Sequence, residues 1–113
     1  MFTKSNFQNI IKQAKNVQEK LESTQAELEK LEVEGQSGGG MVVAIVNGKQ
    51  ELLSLRIDLE NLSDDVEMVE DLIVAAVNQG LMKAGKESQK RMAGVSGSML
   101  GALGDLKPSD ISE

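Results

Sequence analysis

The segment VEGQSGGGMVVAIVNGK, Val33–Lys49, decides how the middle of this chain folds, because it places five of the eleven glycines around one apolar run. Asn47-Gly48 follows that run and precedes a second one, which is the strongest short signal for a two-residue type I′ hairpin turn. We therefore expect residues 41–46 and 49–58 to pair antiparallel, with positive φ at Asn47 and Gly48.

The same turn fixes an expected register and a third strand. It sets Val42 opposite Leu53 and Val43 opposite Leu52, so both faces of the hairpin carry aliphatic side chains and each face needs a cover. Upstream, LEVEGQS, residues 31–37, is predicted to return to the hairpin through a glycine turn at residues 37–40. The prediction is a three-stranded antiparallel meander.

The Gly-Lys ending of this segment does not make a phosphate-binding loop. Such a loop needs a glycine five residues before the Gly-Lys pair and a serine or threonine after it, on a turn from a strand into a helix. Val43 and Gln50 occupy those two positions, and a helical pattern precedes the glycines while a strand follows them. A hairpin accounts for the glycines instead.

A long first helix is predicted over residues 5–32, which contain no glycine or proline. Residues spaced alternately three and four apart lie along one side of this helix, and all of them except Thr24 are apolar. This seam consists of Phe7, Ile10, Ala14, Val17, Leu21, Thr24, Leu28 and Leu31. Two interpretations remain open: the helix packs on its own sheet, or it packs on a partner helix in a dimer. The predicted dimer or core seam consists of Phe7, Ile10, Val17, Leu21, Leu28 and Leu31.

A second helix is predicted over residues 65–93, with Asp64 and Glu67 as its capping box. Its predicted apolar face comprises Val69, Leu72, Ile73, Ala76, Val77, Leu81 and Ala84. Basic residues close it before Gly94. We expect one α-β-β-β-α domain over residues 1–93, of class α+β, and a flexible Gly/Ser-rich tail over residues 94–113.

Composition narrows the function. The chain has no cysteine and no histidine, which excludes disulfides, zinc-thiolate sites and the side chains that most enzymes use for nucleophilic and proton-transfer chemistry. A carboxylate metal site or a Ser-Lys pair is the remaining enzymatic option, so we predict a protein that is not an enzyme and holds no cofactor or metal. The longest apolar runs have six residues, too few to span a bilayer, and we expect a cytosolic protein.

Charge is unevenly distributed along the chain, whose net charge is −6. Basic residues concentrate in the first helix and at the end of the second, and such clusters can engage phosphate without reading bases. The alternative is solvated helix surface together with a favourable interaction of the cations with the helix dipole. The thin core of a small sheet with one helix laid on it, plus leftover apolar surface, predicts a homodimer.

Several segments together resemble the YbaB/EbfC family of bacterial nucleoid-associated proteins. These are IKQAKNVQEK in the first helix, LEVEGQSGGGMV leading into VNG, the Ile57-Asp58 pair, EMVEDLIVAAVNQG and KRMAGVSGSM. The chain departs from the family at Leu59, where proline is common, and at Gln79-Gly80, where an acidic residue and alanine are common. The resemblance covers nearly everything before about Met99.

That resemblance implies a tweezer-like homodimer that binds duplex DNA in the cytoplasmic nucleoid with little sequence preference. The matching DNA-contacting positions are Lys12, Lys15, Lys20, Lys83, Lys86, Lys90 and Arg91. It also implies self-association, other proteins of DNA metabolism as further partners, and no membrane contact. The competing hypothesis is a protein-protein adaptor dimer with weak or no DNA binding.

Overall fold

The structure of the protein is a computed structural model that describes residues 3–62 and 64–104. It confirms the predicted α+β class and the order helix, three strands, helix. The elements are α1 (Lys4–Lys30), β1 (Glu32–Ser37), a one-turn 3-10 helix (Gly38–Gly40), β2 (Val42–Asn47), β3 (Leu52–Ile57) and α2 (Val66–Gly104).

Helix α1 forms over the glycine-free segment predicted for it. Thr3 precedes its first residue, and the Thr3 hydroxyl accepts a hydrogen bond from the Asn6 N–H at 3.1 Å, which satisfies one backbone donor of the first turn. The helix ends at Lys30, and β1 begins two residues later at Glu32. The chain therefore changes from helix to strand through Leu31 alone.

The sheet is the predicted meander, with strand order β1-β2-β3 and both pairs antiparallel. Central β2 is buried along most of its length. The turn between β1 and β2 uses three consecutive glycines at φ of 60°, 67° and 94°, a region that side chains disfavour. The prediction that these glycines serve turn geometry is confirmed.

The predicted hairpin turn was wrong in type and in register. Asn47 and Gly48 do not take positive φ, whereas Gln50 does, at 62°. The loop is Gly48-Lys49-Gln50, closed by a 3.0 Å hydrogen bond from the Gln50 N–H to the Asn47 carbonyl, the three-residue hairpin that has a left-handed last residue. Asn47 Oδ1 accepts the N–H groups of Lys49 at 2.9 Å and Glu51 at 3.0 Å.

The longer loop and a bulge shift the pairing of β2 with β3. Val42 lies opposite Ile57 and Val43 opposite Arg56, not opposite Leu53 and Leu52 as predicted. A register shift follows between Ile45, which pairs with Ser54, and Val46, which pairs with Leu52. Leu53 is therefore the extra residue of a β-bulge.

Helix α2 starts one residue later than predicted and uses a different cap. Asp65 precedes the helix, and its Oδ1 accepts the N–H groups of Glu67 at 3.1 Å and Met68 at 3.4 Å. The N-cap is thus Asp65 rather than Asp64, because an N-cap side chain bonds the amides two and three residues later. The seven apolar residues predicted to share one face of α2 are all buried or half-buried, as expected.

The predicted end of α2 at Ala93 was wrong, because the helix continues to Gly104. Glycine costs a helix only about 1 kcal/mol relative to alanine, whereas proline costs about 3 kcal/mol. Three glycines at positions 94, 97 and 101 therefore do not stop it, and Val95 in this stretch is buried. Residues 105–113 of the predicted flexible tail lie outside the described residues, and the tail stays a prediction there.

The chain divides into two compact units. One is Ala26–Gln89, which contains the end of α1, the whole sheet and the first part of α2. Its core is Val42, Ala44 and Ala76, with Leu72 and Ile73 among the side chains packed around it. The other consists, in its described part, of residues 3–25 and 90–104, and nearly all of it is helical.

In the unit with the sheet, α2 lies directly on the backbone of β1. A Cβ at Gly35 would fall 2.7 Å from the Gly80 Cα and closer still to the Ala76 carbonyl. Val42, Ala44 and Val46, which alternate along β2, are fully buried on the same face. Glycine at position 35 thus permits the close approach that buries the middle of the sheet.

Candidate nucleic-acid interface

Acidic residues dominate the sheet and its two flanking helix ends. Residues 26–82 hold twelve acidic and three basic side chains. A polyanion is repelled by such a surface. If the chain binds nucleic acid, the contacts must come from elsewhere in the chain.

Three of the predicted DNA-binding residues lie on α1. Lys12, Lys15 and Lys20 are all exposed, and they belong to the unit made of residues 3–25 and 90–104. Lys12 and Lys15 are three residues apart, which places them on the same side of a helix. They therefore form a pair of exposed cations on one side of α1.

The other four predicted residues lie on α2. Lys83, Lys86 and Lys90 are exposed and follow one another at spacings of three and four residues, the spacing of one helix face. Arg91 is half-buried and already makes an interaction within the chain. Lys83 Nζ donates to the Glu34 carbonyl at 3.2 Å. Lys86 and Lys90 therefore hold the most accessible cations of this group.

The predicted seam residues of α1 differ in burial within the single chain. Leu28 is buried, while Phe7 is 57% exposed. The others are half-buried: Ile10, Val17, Leu21 and Leu31. Leu28 has a clear local role, because a Cβ at Gly48 would fall within 3 Å of its backbone.

Two other kinds of feature were sought among the described residues. Within residues 3–62 and 64–104, no group of three acidic side chains is arranged to hold a metal ion. Over the same residues, no helix is both long and apolar enough to cross a membrane. The candidate site consists of the seven predicted cations on α1 and α2, of which all but Arg91 are exposed.

Sequence reasoning predicted leftover apolar surface but did not locate it at the leucines of β3. Leu52, Leu53 and Leu55 are 48%, 49% and 38% exposed. An alternating strand would have shown every second residue polar, and the adjacent Leu52-Leu53 pair was the available signal for a bulge. The hydrogen bond that Gln79 accepts from β1 could not be predicted from the sequence, because polar residues are ordinary on an exposed helix face.

Together, the fold and the charge placement define a class of small α-β-β-β-α proteins in which most of the exposed cations lie on two long helices. The sequence profile of the YbaB/EbfC DNA-binding family matches residues 3–99. The chain belongs to this family. It is a family of DNA-binding proteins rather than of enzymes.

Curated relatives agree with this assignment. The chain is 46% identical over 102 residues to a nucleoid-associated protein of Chlorobium luteolum, covering 90% of this chain and 93% of the relative. It is 48% identical over 93 residues to a nucleoid-associated protein of Caldanaerobacter subterraneus subsp. tengcongensis, covering 81% and 84%. Among solved structures, an uncharacterized protein of Helicobacter pylori is similar, with a TM-score of 0.64, 25% identity, and coverage of 82% of this chain and 95% of that one.

Proposed function

We propose that this chain binds duplex DNA as a homodimer with little sequence specificity, and that lysine and arginine contacts to phosphate supply the affinity. The proposed contacts are Lys12, Lys15, Lys20, Lys83, Lys86, Lys90 and Arg91. Its place is the cytoplasmic nucleoid, where it influences DNA organisation and gene expression. The relatives named nucleoid-associated proteins support that setting.

The observation that carries the proposal is the segregation of charge in a DNA-binding family. Residues 26–82 hold only three of the chain's twelve basic side chains. Lys12, Lys15, Lys20, Lys86 and Lys90 are exposed and can approach phosphate from solvent, whereas Lys83 and Arg91 already make an interaction within the chain. DNA repels the acidic part of the chain and attracts the basic helix surfaces. The net negative charge therefore orients the protein on DNA and does not prevent contact.

Low specificity follows from the kind of cation. Six of the seven proposed contacts are lysines, whose ammonium group is a point charge that suits phosphate. Base recognition in the major groove relies most often on bidentate arginine, and Arg91 is half-buried and engaged. Contacts of this kind position a protein on the duplex without reading its sequence.

The test is duplex binding by fluorescence anisotropy over a salt series. Each phosphate neutralised contributes about 0.9 to the slope of log K against log salt concentration. Wild type should show a steep slope, and a Lys12→Gln, Lys15→Gln, Lys90→Gln variant should show a flatter one. Absence of binding at low salt by a folded dimer would overturn the proposal.

A matched pair of single variants locates the contact on α1. Lys15 and Lys30 are both exposed lysines of the same helix, but Lys30 lies in the acidic part of the chain. Because a homodimer carries every residue twice, Lys15→Gln should lower the slope by up to about 1.8, whereas Lys30→Gln should leave it unchanged. Equal effects would contradict the assignment to particular lysines.

A protein-protein adaptor with weak or no DNA binding is the alternative function. Exposed leucines on β3 favour it, since exposed apolar patches mark interaction surfaces. A weak dependence of DNA binding on salt, together with saturable binding to a partner protein, would support the adaptor function. A steep dependence of log K on log salt concentration would support DNA binding.

A further inference from the structure

The turn between β2 and β3 contains a pair of residues with a reactivity of its own. Asn47 is followed by glycine, whereas each of the other five asparagines is followed by a residue that carries a side chain: Asn6, Asn9, Asn16, Asn61 and Asn78. Asparagine is a thermolabile residue, and the backbone nitrogen of the next residue is the group that attacks it. Glycine has no Cβ to hinder that attack. Asn47-Gly48 is therefore the pair in this chain that is most susceptible to spontaneous deamidation.

Deamidation at this pair needs only water. The Gly48 amide loses its proton to hydroxide, and its nitrogen attacks the Asn47 Cγ. A bond forms between that nitrogen and Cγ while the bond from Cγ to Nδ2 breaks, and Nδ2 leaves as ammonia, which gives a cyclic succinimide. Water then opens the ring at either of its carbonyl carbons and produces aspartate or isoaspartate. In total, the chain takes up water and releases ammonia.

The folded loop fixes the Asn47 side chain. Asn47 is 2% exposed. Its Oδ1 accepts the N–H groups of Lys49 at 2.9 Å and Glu51 at 3.0 Å, an arrangement in which an asparagine side chain bonds the backbone of its own turn. Its Nδ2, which is the leaving group, donates to Glu51 Oε1 at 2.8 Å. Attack at Cγ would disrupt these bonds, because it rearranges the amide and expels Nδ2.

The attacking nitrogen is held by a different contact. The Gly48 N–H donates to the Leu28 carbonyl at 2.7 Å. Gly48 is buried, and a Cβ added there would fall within 3 Å of the Leu28 backbone. Hydroxide removes a protected amide proton only after the hydrogen bond opens. The first step of deamidation thus requires that the loop separate from the end of α1.

A further contact attaches the loop to α2. Gln50 Nε2 donates to the Leu81 carbonyl at 3.1 Å. Gly85, which is one turn later on α2, leaves space for this side chain, since a Cβ there would lie 3.1 Å from the same nitrogen. The loop is therefore attached to both helices, through Gly48 to α1 and through Gln50 to α2.

Either product would alter the closed loop. In aspartate, a carboxylate oxygen replaces Nδ2 beside Glu51 Oε1, so a hydrogen-bond donor becomes a second anion. In isoaspartate, the main chain runs through Cγ, and the former Asn47 carbonyl becomes a free carboxylate. That carbonyl accepts the Gln50 N–H at 3.0 Å and closes the native loop. The isoaspartate chain therefore lacks the main-chain geometry of the hairpin.

We propose that Asn47-Gly48 is a spontaneous modification site which the closed loop between β2 and β3 protects, so that deamidation occurs in chains whose loop has opened. The protection comes from the three bonds of the Asn47 amide, the bond from Gly48 to Leu28 and the bond from Gln50 to Leu81. Because the ammonia is lost, the products do not return to asparagine, and each reaction leaves a permanent record of an opening. This inference is independent of DNA binding.

Deamidation of the full chain in its native state and in guanidinium chloride, at one pH and one temperature, tests the protection. Peptide mapping by mass spectrometry follows Asn47 and, as an internal control, Asn61, which is exposed and precedes leucine. Unfolding should speed the reaction at Asn47 at least about tenfold, because the unfolded chain needs no opening step. Asn61 should react slowly in both states. Equal rates at Asn47 in the two states would overturn the proposal.

Hydrogen exchange at the Gly48 amide makes this test quantitative. Exchange and deamidation begin with removal of the same proton, so both need the opening that breaks the bond to Leu28. The factor by which folding slows deamidation should be at least as large as the factor by which it slows exchange at Gly48. A smaller factor for deamidation would mean that the closed loop itself reacts, and the proposal would be wrong.

Variants at Glu51 test the contact that holds the leaving group. Glu51→Ala removes the carboxylate bonded to Nδ2, while the backbone N–H of position 51 stays in place. Native-state deamidation at Asn47 should become about fivefold faster, the factor that corresponds to the net contribution of one hydrogen bond. Glu51→Gln retains an oxygen that can accept from Nδ2, so its rate should stay close to that of wild type.

Lys49→Ala is the matched control in the same loop. Lys49 is exposed, and the substitution keeps the backbone N–H that Asn47 Oδ1 accepts. Its rate of deamidation should stay within about twofold of wild type, as expected for a surface substitution. Equal acceleration by Glu51→Ala and Lys49→Ala would overturn the protective role of the Asn47 contacts.

The fate of the converted chains tests the structural consequence. Chains deamidated in guanidinium chloride are returned to native conditions, and brief proteolysis separates open chains from folded ones. Isoaspartate at position 47 should be at least about threefold enriched among the cleaved chains, because they cannot form the native loop. An equal share of isoaspartate in cleaved and intact chains would overturn the requirement for the Asn47 carbonyl in the closed loop.

Discussion

Glycines near the sheet and glycines at the end of α2 have opposite structural meanings. Gly35 and Gly48 lie where a Cβ would come within 3 Å of neighbouring backbone atoms. Gly97 and Gly101 meet nothing within 4 Å on the side where a Cβ would project. The first pair allows elements to approach closely, and the second pair has no steric requirement for glycine.

The difference shows that glycine can be necessary for two separate reasons or for none. Close approach requires it at Gly35, and positive φ requires it in the Gly38–Gly40 turn. A sequence shows the glycine but not which reason applies. Replacing each glycine with alanine distinguishes these cases. The expected change in the free energy of unfolding differs in size among the required glycines and has the opposite sign at Gly97.

Gly35→Ala should have the largest effect. Its methyl group would overlap the backbone of α2 at Ala76 and Gly80, and backbone cannot yield as a side-chain end can. Overpacking costs about 1–3 kcal/mol and occasionally more, so we expect a loss of at least about 3 kcal/mol. Urea unfolding at a fixed protein concentration measures it.

Gly80→Ala is the control at the same contact. Its Cβ would lie 3.4 Å from the Gly35 nitrogen and from a Val46 methyl group, an ordinary contact, and alanine favours a helix by about 1 kcal/mol over glycine. Stability should stay within about 1 kcal/mol of wild type. If both variants unfold at the same urea concentration, the close approach at Gly35 is wrong.

Gly48→Ala should have an intermediate effect, a loss of about 2 kcal/mol. Its Cβ would lie 2.8 Å from the Leu28 carbonyl oxygen and 2.9 Å from the Leu28 Cα, although the end of α1 has more room to shift than a helix centre. Lys49→Ala, next to it in the same loop and exposed, should change stability by no more than about 0.5 kcal/mol. A loss confined to Lys49→Ala would contradict this role for Gly48.

Gly48 also shows how far sequence reasoning could reach. Asn47-Gly48 correctly predicted a hairpin, because a glycine between apolar runs marks a turn whatever its type. It incorrectly predicted positive φ, since the need for glycine there comes from Leu28, twenty residues earlier. The two helices and the meander depend on periodicity and were predictable, whereas the Asp65 cap and the end of α2 depend on competition between near-equal local alternatives.

The candidate site also has a part that the sequence predicted and a part that it did not. Exposure of the lysines on α1 and α2 follows from their position opposite the apolar positions, and the sequence predicted it. The exposure of Leu52 and Leu55 depends on how far α2 reaches across the sheet, which the contact of Gly35 with Gly80 determines. No pattern within β3 carries that information.

Gly39→Ala should cost about 1 kcal/mol through backbone conformation alone. Gly39 has φ of 67° and no atom within 4 Å of the Cβ position, so the cost is that of placing alanine in the left-handed region. Gly39→Asn should cost less, because asparagine tolerates that region better. Equal losses for alanine and asparagine in urea unfolding would point to a contact rather than to φ.

Gly97→Ala should have the smallest effect, and of opposite sign. Position 97 lies inside α2 with open space around it, so alanine should stabilise this part of the helix by about 0.5–1 kcal/mol. Hydrogen exchange of the amides in residues 94–104 reports that local stability, and protection should rise about two- to fivefold. Gly101→Ala should act in the same direction and less strongly, since it lies nearer the helix end, where fraying already limits protection. Unchanged exchange in both variants would mean that these residues spend most of their time outside the helix, and that the break predicted before Gly94 is closer to the solution behaviour.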